Sequence, residues 1–249
     1  MKISVITATY NRDKTIERAI KSVKNQDYPN VELVVVDGAS VDDTISKVES
    51  LIGINDIFVT EKDYGIYDAL NKGIGLSSGD VIGFLHSDDI YFDNQILSKV
   101  ANFFSDDSID VVYGDACFFR DDNIDKIIRV YRSDELSIKN LSRGKMPAHT
   151  AMFFKKDVYR KYGLFKTGYV IAADYEFLCR VAKNGNLKTK YLPEQFVKMQ
   201  IGGVSTGGIS NTITLNKEVL RACAENGIYT NILMIMSKYA SKILQFIRA

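Results

Sequence analysis

Two adjacent carboxylates, Asp88 and Asp89, follow a short apolar run and are well suited to hold a metal ion. Neighbouring carboxylates repel each other unless a cation or hydrogen-bond donors compensate their charge. Mg²⁺ and similar hard cations take oxygen ligands, commonly one or two carboxylates together with substrate phosphates. The pair therefore indicates a site for Mn²⁺ or Mg²⁺ that also receives a phosphorylated substrate. A solvated turn that caps the next segment is the alternative.

Two further carboxylates stand where an apolar segment gives way to polar residues. Asp37 follows the apolar run 31–36, where its carboxylate could accept a hydrogen bond from a base or a ribose. Asp-Gly is also a strong turn signal, so a turn residue is the alternative. Asp174 opens a segment of helical periodicity. It is a candidate general base for an acceptor hydroxyl, or else the N-cap of that helix.

Three other polar side chains are candidates for ligand contacts. Asp68 and Asn71 lie three residues apart on a predicted helix and share one of its faces. Apolar residues cover the core side of that helix, so the pair faces either a crevice or solvent at the helix N-terminus. His149, one of two histidines in the chain, could contact a phosphate or the metal. A structural role for His149 is the alternative.

Four apolar runs in the first hundred residues provide elements that bring such side chains together. The runs cover residues 3–7, 31–36, 57–60 and 81–85. Helical periodicity follows each run, which predicts an α/β fold with a Rossmann-like, mostly parallel sheet flanked by helices. Parallel sheets bind ligands beyond the carboxyl ends of their strands, so the polar residues there should meet in one crevice. These residues include Thr7, Thr9, Asp37, Asp88 and Asp89.

The pattern changes after Asp89 and predicts a mixed second half. Segments 111–120 and 127–132 are strand-like and are joined by polar residues, which indicates a hairpin. The segment 201–208 holds four glycines and is predicted to be a mobile loop. At the C-terminal end, apolar residues recur at helical spacing with lysines between them. That helix either packs on the domain or rests on an anionic membrane surface.

Composition limits the classes of function that this chain can have. Its 249 residues are 46% hydrophobic, enough for one large domain with a proper core, and the net charge of +1 gives no global field for nucleic acid. Three cysteines without metal-type spacing indicate a reducing compartment. The N-terminal residues lack the layout of a signal peptide, and no apolar run reaches the length of a membrane-spanning helix. We therefore expect a cytoplasmic protein.

Several motifs together resemble those of family-two glycosyltransferases of the GT-A fold, especially small bacterial enzymes of surface-polysaccharide assembly. The resemblance runs from residue 3 to about residue 205. The motifs are specific for the family as a set, although none of them is specific alone. The motifs are Ser4-Val5-Ile6-Thr7-Ala8-Thr9-Tyr10-Asn11, Val34-Val35-Val36-Asp37-Gly38-Ala39-Ser40, Gly65-Ile66-Tyr67-Asp68-Ala69-Leu70-Asn71-Lys72-Gly73, Phe84-Leu85-His86-Ser87-Asp88-Asp89, Pro147-Ala148-His149 and Ala173-Asp174.

The resemblance implies an inverting transfer of a sugar from a nucleotide-diphosphate donor, normally a UDP-sugar, to an acceptor hydroxyl. Asp174 would deprotonate that hydroxyl, and Asp89 would bind Mn²⁺ or Mg²⁺, with His149 as a second candidate ligand. Nucleotide-sugar contacts are assigned to Thr7, Thr9, Asp37, Asp68, Asn71, Ser87 and Asp88. The acceptor would be an oligosaccharide or a lipid-linked glycan, reached by peripheral contact with the cytoplasmic membrane surface.

The implied organisation is a single GT-A domain over residues 1–227, followed by an amphipathic helix over 228–249. The nucleotide-binding half covers about 1–115 and the acceptor half about 116–227. This sequence departs from the family pattern at three positions. His86 stands where many relatives carry Asp, Leu70 where many carry Arg, and Ala173 where many carry Glu.

Two other functions compete with the transferase. A sugar nucleotidyltransferase could use a related α/β sheet, but no glycine-rich basic phosphate loop follows the first strand. A non-catalytic nucleotide-binding module would not need Asp89 and Asp174 together.

Overall fold

The structure is a computed structural model that describes residues 1–133, 135–202 and 208–247, without the side chains of residue 209 and of 240–247. The loop predicted for 201–208 therefore falls largely outside the described residues. Nine strands within these ranges form one sheet. They are β1 (Ile3–Thr9), β2 (Val31–Asp37), β3 (Ile57–Thr60), β4 (Val81–Phe84), β5 (Ile90–Tyr91), β6 (Val111–Phe119), β7 (Arg129–Tyr131), β8 (Met152–Lys155) and β9 (Thr189–Gln200).

Helices cover the sheet and connect its strands. They are α1 (Ile16–Lys24), α2 (Thr44–Glu49), α3 (Ile66–Leu76), α4 (Ile96–Phe103), α5 (Ile138–Leu141), α6 (Lys156–Tyr162), α7 (Ala173–Asn184), α8 (Ile209–Glu225) and α9 (Ile232–Ile247). A single 3₁₀ turn, His149–Ala151, precedes β8. Among the residues that the structure describes, no helix is long and apolar enough to cross a membrane.

The strand order is β3-β2-β1-β4-β8-β6-β9-β5, with β7 paired to β6. Strands β1 to β4 pair in parallel, whereas β8 runs antiparallel to both β4 and β6. Strand β9 is parallel to β6, and β5 and β7 are antiparallel to their partners. Most strands therefore point the same way, and their carboxyl ends meet at one edge. This confirms the predicted α/β class, its parallel first half and its mixed second half.

Alternating residues of the central strands bury both faces of the sheet. In β2, Val34 and Val36 pack in one core cluster, while Leu33 and Val35 pack in the other. All four side chains are at most 1% exposed, which explains why the strand reads as a continuous apolar run. The amphipathic helix α1 then covers one face of the sheet.

The second half contains elements that the sequence did not predict. Strand β9 carries many polar residues and Pro193, and it pairs with β6 through a register shift near Asp115. The helices α6 and α8 were also missed. Strand β9 was missed because its pairing depends on a distant strand rather than on its own periodicity.

The C-terminal helix was predicted for 228–249, and α9 occupies Ile232–Ile247. Ile235 and Lys238 of α9 are buried against the domain, and Lys238 Nζ donates to Asn216 Oδ1 at 2.8 Å. Leu233 is 78% exposed, so only part of the helix surface is covered by the described residues.

Candidate active site

A cavity of about 390 Å³ lies at the edge of the sheet where the parallel strands end. Six residues predicted from the sequence line it: Thr9, Ser87, Asp88, Asp89, His149 and Asp174. Strand β1 ends at Thr9, and the turn after β4 carries the adjacent carboxylates. Asp174 lies in the first turn of α7. The fold therefore gathers polar residues from strand ends and helix starts around one space, as parallel sheets do.

The adjacent carboxylates differ in their surroundings. Asp89 is 5% exposed, and its Oδ1 accepts the Gln200 N–H at 3.2 Å. The backbone carbonyl of Asp88 accepts from Arg18 Nη2 at 3.3 Å. Burial, and then the charge of Asp88, hold the pKa of Asp89 well above its usual range. A cation beside these carboxylates would relieve that repulsion.

Two imidazoles stand beside the carboxylates with unused nitrogens. The rings of His86 and His149 lie 6.2 Å apart, and His149 stacks on Phe84 at 4.7 Å. His86 Nδ1 and His149 Nε2 are buried and find no hydrogen-bond partner among the described residues. Burial lowers the pKa of His149 to about 3, and the neighbouring His86 adds to this effect. The imidazole of His149 is therefore neutral, which is the form that binds a metal.

The donor set fits a hard divalent cation that shares its coordination with a substrate. In the part of the chain that the structure describes, no group of three or more His, Cys, Asp or Glu residues could hold a metal ion by itself. Mg²⁺ and Mn²⁺ do not need one, since one or two carboxylates and substrate phosphates complete their coordination. Asp88 and Asp89 would supply the carboxylates, whereas His149, although its Nε2 finds no hydrogen-bond partner among the described residues, does not complete a group of three such ligands with them.

Asp174 has the environment of a proton acceptor. Its Oδ1 accepts the Tyr175 N–H at 2.8 Å and lies 3.1 Å from the Tyr67 hydroxyl oxygen. Burial raises the pKa of Asp174 to about 6, despite these two hydrogen bonds, which lower it. A carboxylate with a pKa near 6 is ionised at neutral pH and is a stronger base than an ordinary aspartate.

Two predicted contacts, Thr7 and Asp37, lie behind the cavity rather than in its lining. Thr7 is 1% exposed within β1. Both carboxylate oxygens of Asp37 accept hydrogen bonds: the Ser40 N–H and the Thr60 hydroxyl donate to Oδ2 at 2.9 and 2.7 Å, and the Ser40 hydroxyl donates to Oδ1. These bonds fix the turn after β2, where Ala39 adopts a positive φ of 64°. The surroundings of Asp37 favour the turn alternative.

Asp68 and Asn71 also lie outside the cavity lining. Asp68 accepts the Tyr64 N–H at 3.1 Å and pairs with Lys72 at 3.2 Å. Asn71 donates to the Phe165 carbonyl at 2.8 Å and accepts the Phe165 N–H at 3.0 Å. Asn71 therefore ties α3 to the segment before α7, and Asp68 holds the residue that precedes the N-cap of α3. Both arrangements favour structural roles.

Several lining residues were missed by the sequence analysis. They include Tyr10, Arg12, Tyr67, His86, Ile171 and Gln200. The rule that found Thr9 would also have found Tyr10 and Arg12, because both directly follow β1. No local signal marks Gln200, which reaches the cavity because β9 pairs between β6 and β5.

The sequence model described as Glycosyl transferase family 2 matches residues 4–163, more than half of the chain. The chain belongs to this family. A relative from Mycobacterium tuberculosis, described as a PGL/p-HBAD biosynthesis glycosyltransferase, is 30% identical over 222 residues, covering 88% of this chain and 82% of the relative. The range of the family model includes Asp88, Asp89 and His149 but ends before Asp174.

Two solved structures share the fold of this family-two glycosyltransferase. S. aureus TarS 1-349 in complex with UDP-GlcNAc is 20% identical, with a TM-score of 0.70 over 89% of this chain. The mannosyltransferase PcManGT from Pyrobaculum calidifontis, in complex with GDP-Man and Mn²⁺, is 21% identical, with a TM-score of 0.67 over 92% of this chain. This chain spans 66% and 65% of the two solved chains. These matches confirm the GT-A fold.

Proposed function

We propose that this glycosyltransferase is a metal-dependent, inverting enzyme that transfers a sugar from a nucleotide-diphosphate donor to an acceptor hydroxyl. The observation that carries the proposal is the placement of Asp88, Asp89 and Asp174 around one cavity. The cavity volume of about 390 Å³ lies within the usual range for small-molecule sites. A UDP-sugar is the proposed donor, supported by the UDP-GlcNAc complex of a protein with the same fold.

The charge of the cavity supports metal dependence. Among the described lining residues, the carboxylates Asp63, Asp88, Asp89 and Asp174 face a single guanidinium, that of Arg12. A donor diphosphate would add further negative charge to this surplus of carboxylates. Mn²⁺ or Mg²⁺, held by Asp88 and Asp89 with His149 nearby, would neutralise the charge that develops on the departing diphosphate.

The proposed chemical step places Asp174 opposite the departing nucleotide. Its carboxylate accepts the proton of the acceptor hydroxyl as the hydroxyl oxygen attacks the anomeric carbon. The bond from that carbon to the diphosphate oxygen breaks, and its electron pair leaves with the nucleotide. Attack from the face opposite the leaving group inverts the anomeric centre. The raised pKa of Asp174 makes this proton transfer more favourable.

The proposed acceptor is an oligosaccharide or a lipid-linked glycan at an anionic membrane surface. Ile232, Leu233 and Met236 share one exposed side of α9 and are 50%, 78% and 48% exposed, and Tyr229, shortly before the helix, is 80% exposed. The loop that follows α5 packs against α9, since a Cβ at Gly144 would lie 3.4 Å from Ile235 Cγ2. The Thr230 hydroxyl, just before α9, also donates to the Ser142 carbonyl at 2.5 Å. That region also presents the exposed side chains of Lys139 and Arg143. Apolar and basic side chains together suit an anionic lipid surface.

The decisive variant is Asp174→Asn. We expect it to lower kcat by at least about a thousandfold while donor affinity, measured by calorimetry with Mn²⁺, stays within about threefold. We also expect unfolding at pH 8 to require up to about 3 kcal/mol more free energy in the variant. The reason is that the raised pKa of Asp174 makes its ionised form destabilising above pH 6.

The matched control is Asp157→Asn, a carboxylate on α6 that is 79% exposed and does not line the cavity. It should leave turnover and donor affinity unchanged. Undiminished turnover by Asp174→Asn would remove Asp174 from its role. If none of a panel of UDP-, GDP- and dTDP-sugars binds, the transferase proposal as a whole is contradicted. Nucleotide binding without turnover would instead support the alternative function, a non-catalytic nucleotide-binding module.

A further inference from the structure

The segment just before the proposed base, residues 170–172, is held from behind by a buried carboxylate of α8. Glu218 is 8% exposed, and its Oε1 accepts the Val170 N–H at 2.7 Å. Its Oε2 accepts the N–H groups of Ile171 and Ala172, each at 2.9 Å. Consecutive backbone N–H groups around one anion form a concave binding site, and hydrogen bonds to a charged acceptor are strong.

The opposite side of this segment is fixed by α3. The Tyr67 hydroxyl donates to the Ile171 carbonyl at 2.5 Å, and its oxygen also lies 3.1 Å from Asp174 Oδ1. Val170 and Ile171 themselves line the cavity. The backbone ahead of Asp174 is therefore held between Tyr67 and Glu218, with one side facing the cavity.

The start of α7 depends on this arrangement because the helix lacks an ordinary cap. Ala172 is its N-cap residue and has no side chain that could accept a hydrogen bond from the first turn. Its backbone carbonyl accepts the Glu176 N–H at 3.0 Å, and its own N–H goes to Glu218. The position of Asp174, two residues into this turn, is thus defined by a carboxylate on another helix.

We propose that Glu218 is a positioning residue that fixes Asp174 against the cavity through its three backbone hydrogen bonds. This inference rests on the proposed role of Asp174 as the base. Glu218 does not line the cavity, so its influence passes through the 170–172 backbone and through its charge.

The charge of Glu218 also acts on Asp174. Burial is the main cause of the raised pKa of Asp174, the Tyr175 N–H and the Tyr67 hydroxyl lower that pKa, and the charge of Glu218 raises it. The other ionisable groups of the cavity lining are Tyr10, Arg12, Asp63, His86, Asp88, Asp89 and His149. Removal of the Glu218 charge should therefore lower the pKa of Asp174.

The test is Glu218→Gln, which keeps the length of the side chain but removes its charge and turns an amide NH₂ toward backbone donors. We expect kcat to fall about tenfold to a hundredfold, since small displacements of catalytic groups are costly, while KM for the donor changes less than about twofold. The acid limb of the kcat/KM profile should move to lower pH. Titration of the Asp174 carboxyl carbon by ¹³C NMR should show the same lowered pKa.

The control is Glu225→Gln on the same helix, whose carboxylate pairs with Lys166 and Arg221 and does not contact residues 170–172. It should lower stability without moving the acid limb. Glu218→Asp, a shorter residue that keeps its charge, serves if the glutamine variant does not fold, and it should lower kcat with little change in the Asp174 pKa. The inference would be overturned if the folded variants keep the wild-type kcat, or if the pKa of Asp174 is unchanged in Glu218→Gln.

The two proposals can fail separately. Turnover by Asp174→Asn would refute the proposed base without using Glu218 at all. The carboxyl titration measures the link between Glu218 and Asp174 without any turnover, so an unmoved titration counts against the positioning role alone.

Discussion

At the scale of single residues, the site combines carboxylates whose environments differ. Asp89 is buried beside the charge of Asp88, and both effects raise its pKa. Such a pair of carboxylates is suited to bind a cation. Among the described residues no basic side chain is in contact with Asp174, and burial raises its pKa to about 6. The same residue type can therefore serve as a metal ligand in one place and as a proton acceptor in another, because burial and neighbouring charge set its affinity for protons.

The pKa of Asp174 predicts the pH dependence of turnover. A general base must be deprotonated, so kcat/KM should fall tenfold per pH unit below about pH 6 and level off above it. Steady-state rates between pH 4.5 and 8 with saturating Mn²⁺ measure this profile. Donor affinity measured over the same range is the control for protonation of the donor or of the metal ligands. A midpoint near pH 4 with constant donor affinity would contradict the raised pKa.

At the scale of elements, close packing between helix and sheet positions the cavity wall. Helix α3 supplies Tyr67 and approaches β1 so closely that a Cβ at Gly73 would lie 2.4 Å from Ile6 Cγ2. A Cβ at Gly75, on the same helix, would meet nothing within 4 Å. Gly73 is therefore required by close packing, whereas Gly75, on the same helix, has room for a side chain.

This difference predicts opposite effects of the same substitution. Gly73→Ala should lower the free energy of unfolding by about 1–3 kcal/mol, because the added methyl group must displace β1 or α3. Gly75→Ala should raise it by up to about 1 kcal/mol, because alanine favours the helix. Urea unfolding of both variants is the measurement, and each variant is the control for the other. Equal effects would show that α3 and β1 are not in close contact at Gly73.

The exposed stripe of α9 predicts membrane binding. Leu233→Ser combined with Met236→Ser should weaken sedimentation with anionic liposomes by about tenfold or more, because both apolar side chains leave the lipid interface. Ile213→Ser is the control, since Ile213 is 52% exposed on α8 and away from this stripe. Binding that is equal for all three proteins would exclude α9 as the contact, and a change of oligomeric state in light scattering would assign the stripe to a second copy of this chain.

At the scale of the whole molecule, the proposed donor and metal would connect the two halves of the chain at the sheet edge. Ligands of the cavity would contact the ends of β1 and β4 from the first half and α7 and β9 from the second. Anything that binds only the folded state stabilises it by mass action. The free energy of unfolding in the presence of a donor therefore reports whether the cavity binds that donor.

We expect a UDP-sugar at a hundred times its Kd, with Mn²⁺, to stabilise the fold by about 2.7 kcal/mol, or roughly 5–10 °C in Tm. Asp89→Asn should lose most of this increment because it removes a proposed metal ligand. Differential scanning calorimetry with and without EDTA measures both effects. An increment that survives EDTA in the unchanged protein would contradict metal-dependent donor binding, while a donor that fails to shift Tm in any condition would argue against a UDP-sugar.

Local pattern alone was enough for much of the fold and for the main cavity residues. The apolar runs of β1 to β4 and the helices between them follow from periodicity, and the carboxyl ends of parallel strands must share an edge. Thr9, Asp88 and Asp89 could therefore be assigned to one crevice without a structure. Asp174 and His149 were singled out by their type and by the resemblance, and both also line the cavity.

Tertiary structure decided what local pattern leaves open. Whether Asp37 faces a ligand or a turn depends on Ser40 and Thr60 donating to it, and sequence spacing does not show this. Gln200 reaches Asp89 because β9 pairs with β5, the strand that directly follows Asp89. Glu218 reaches the start of α7 only because α8 packs beside it. Periodicity reports which face of an element is buried, but the partner across a long-range contact is chosen by packing of the whole chain.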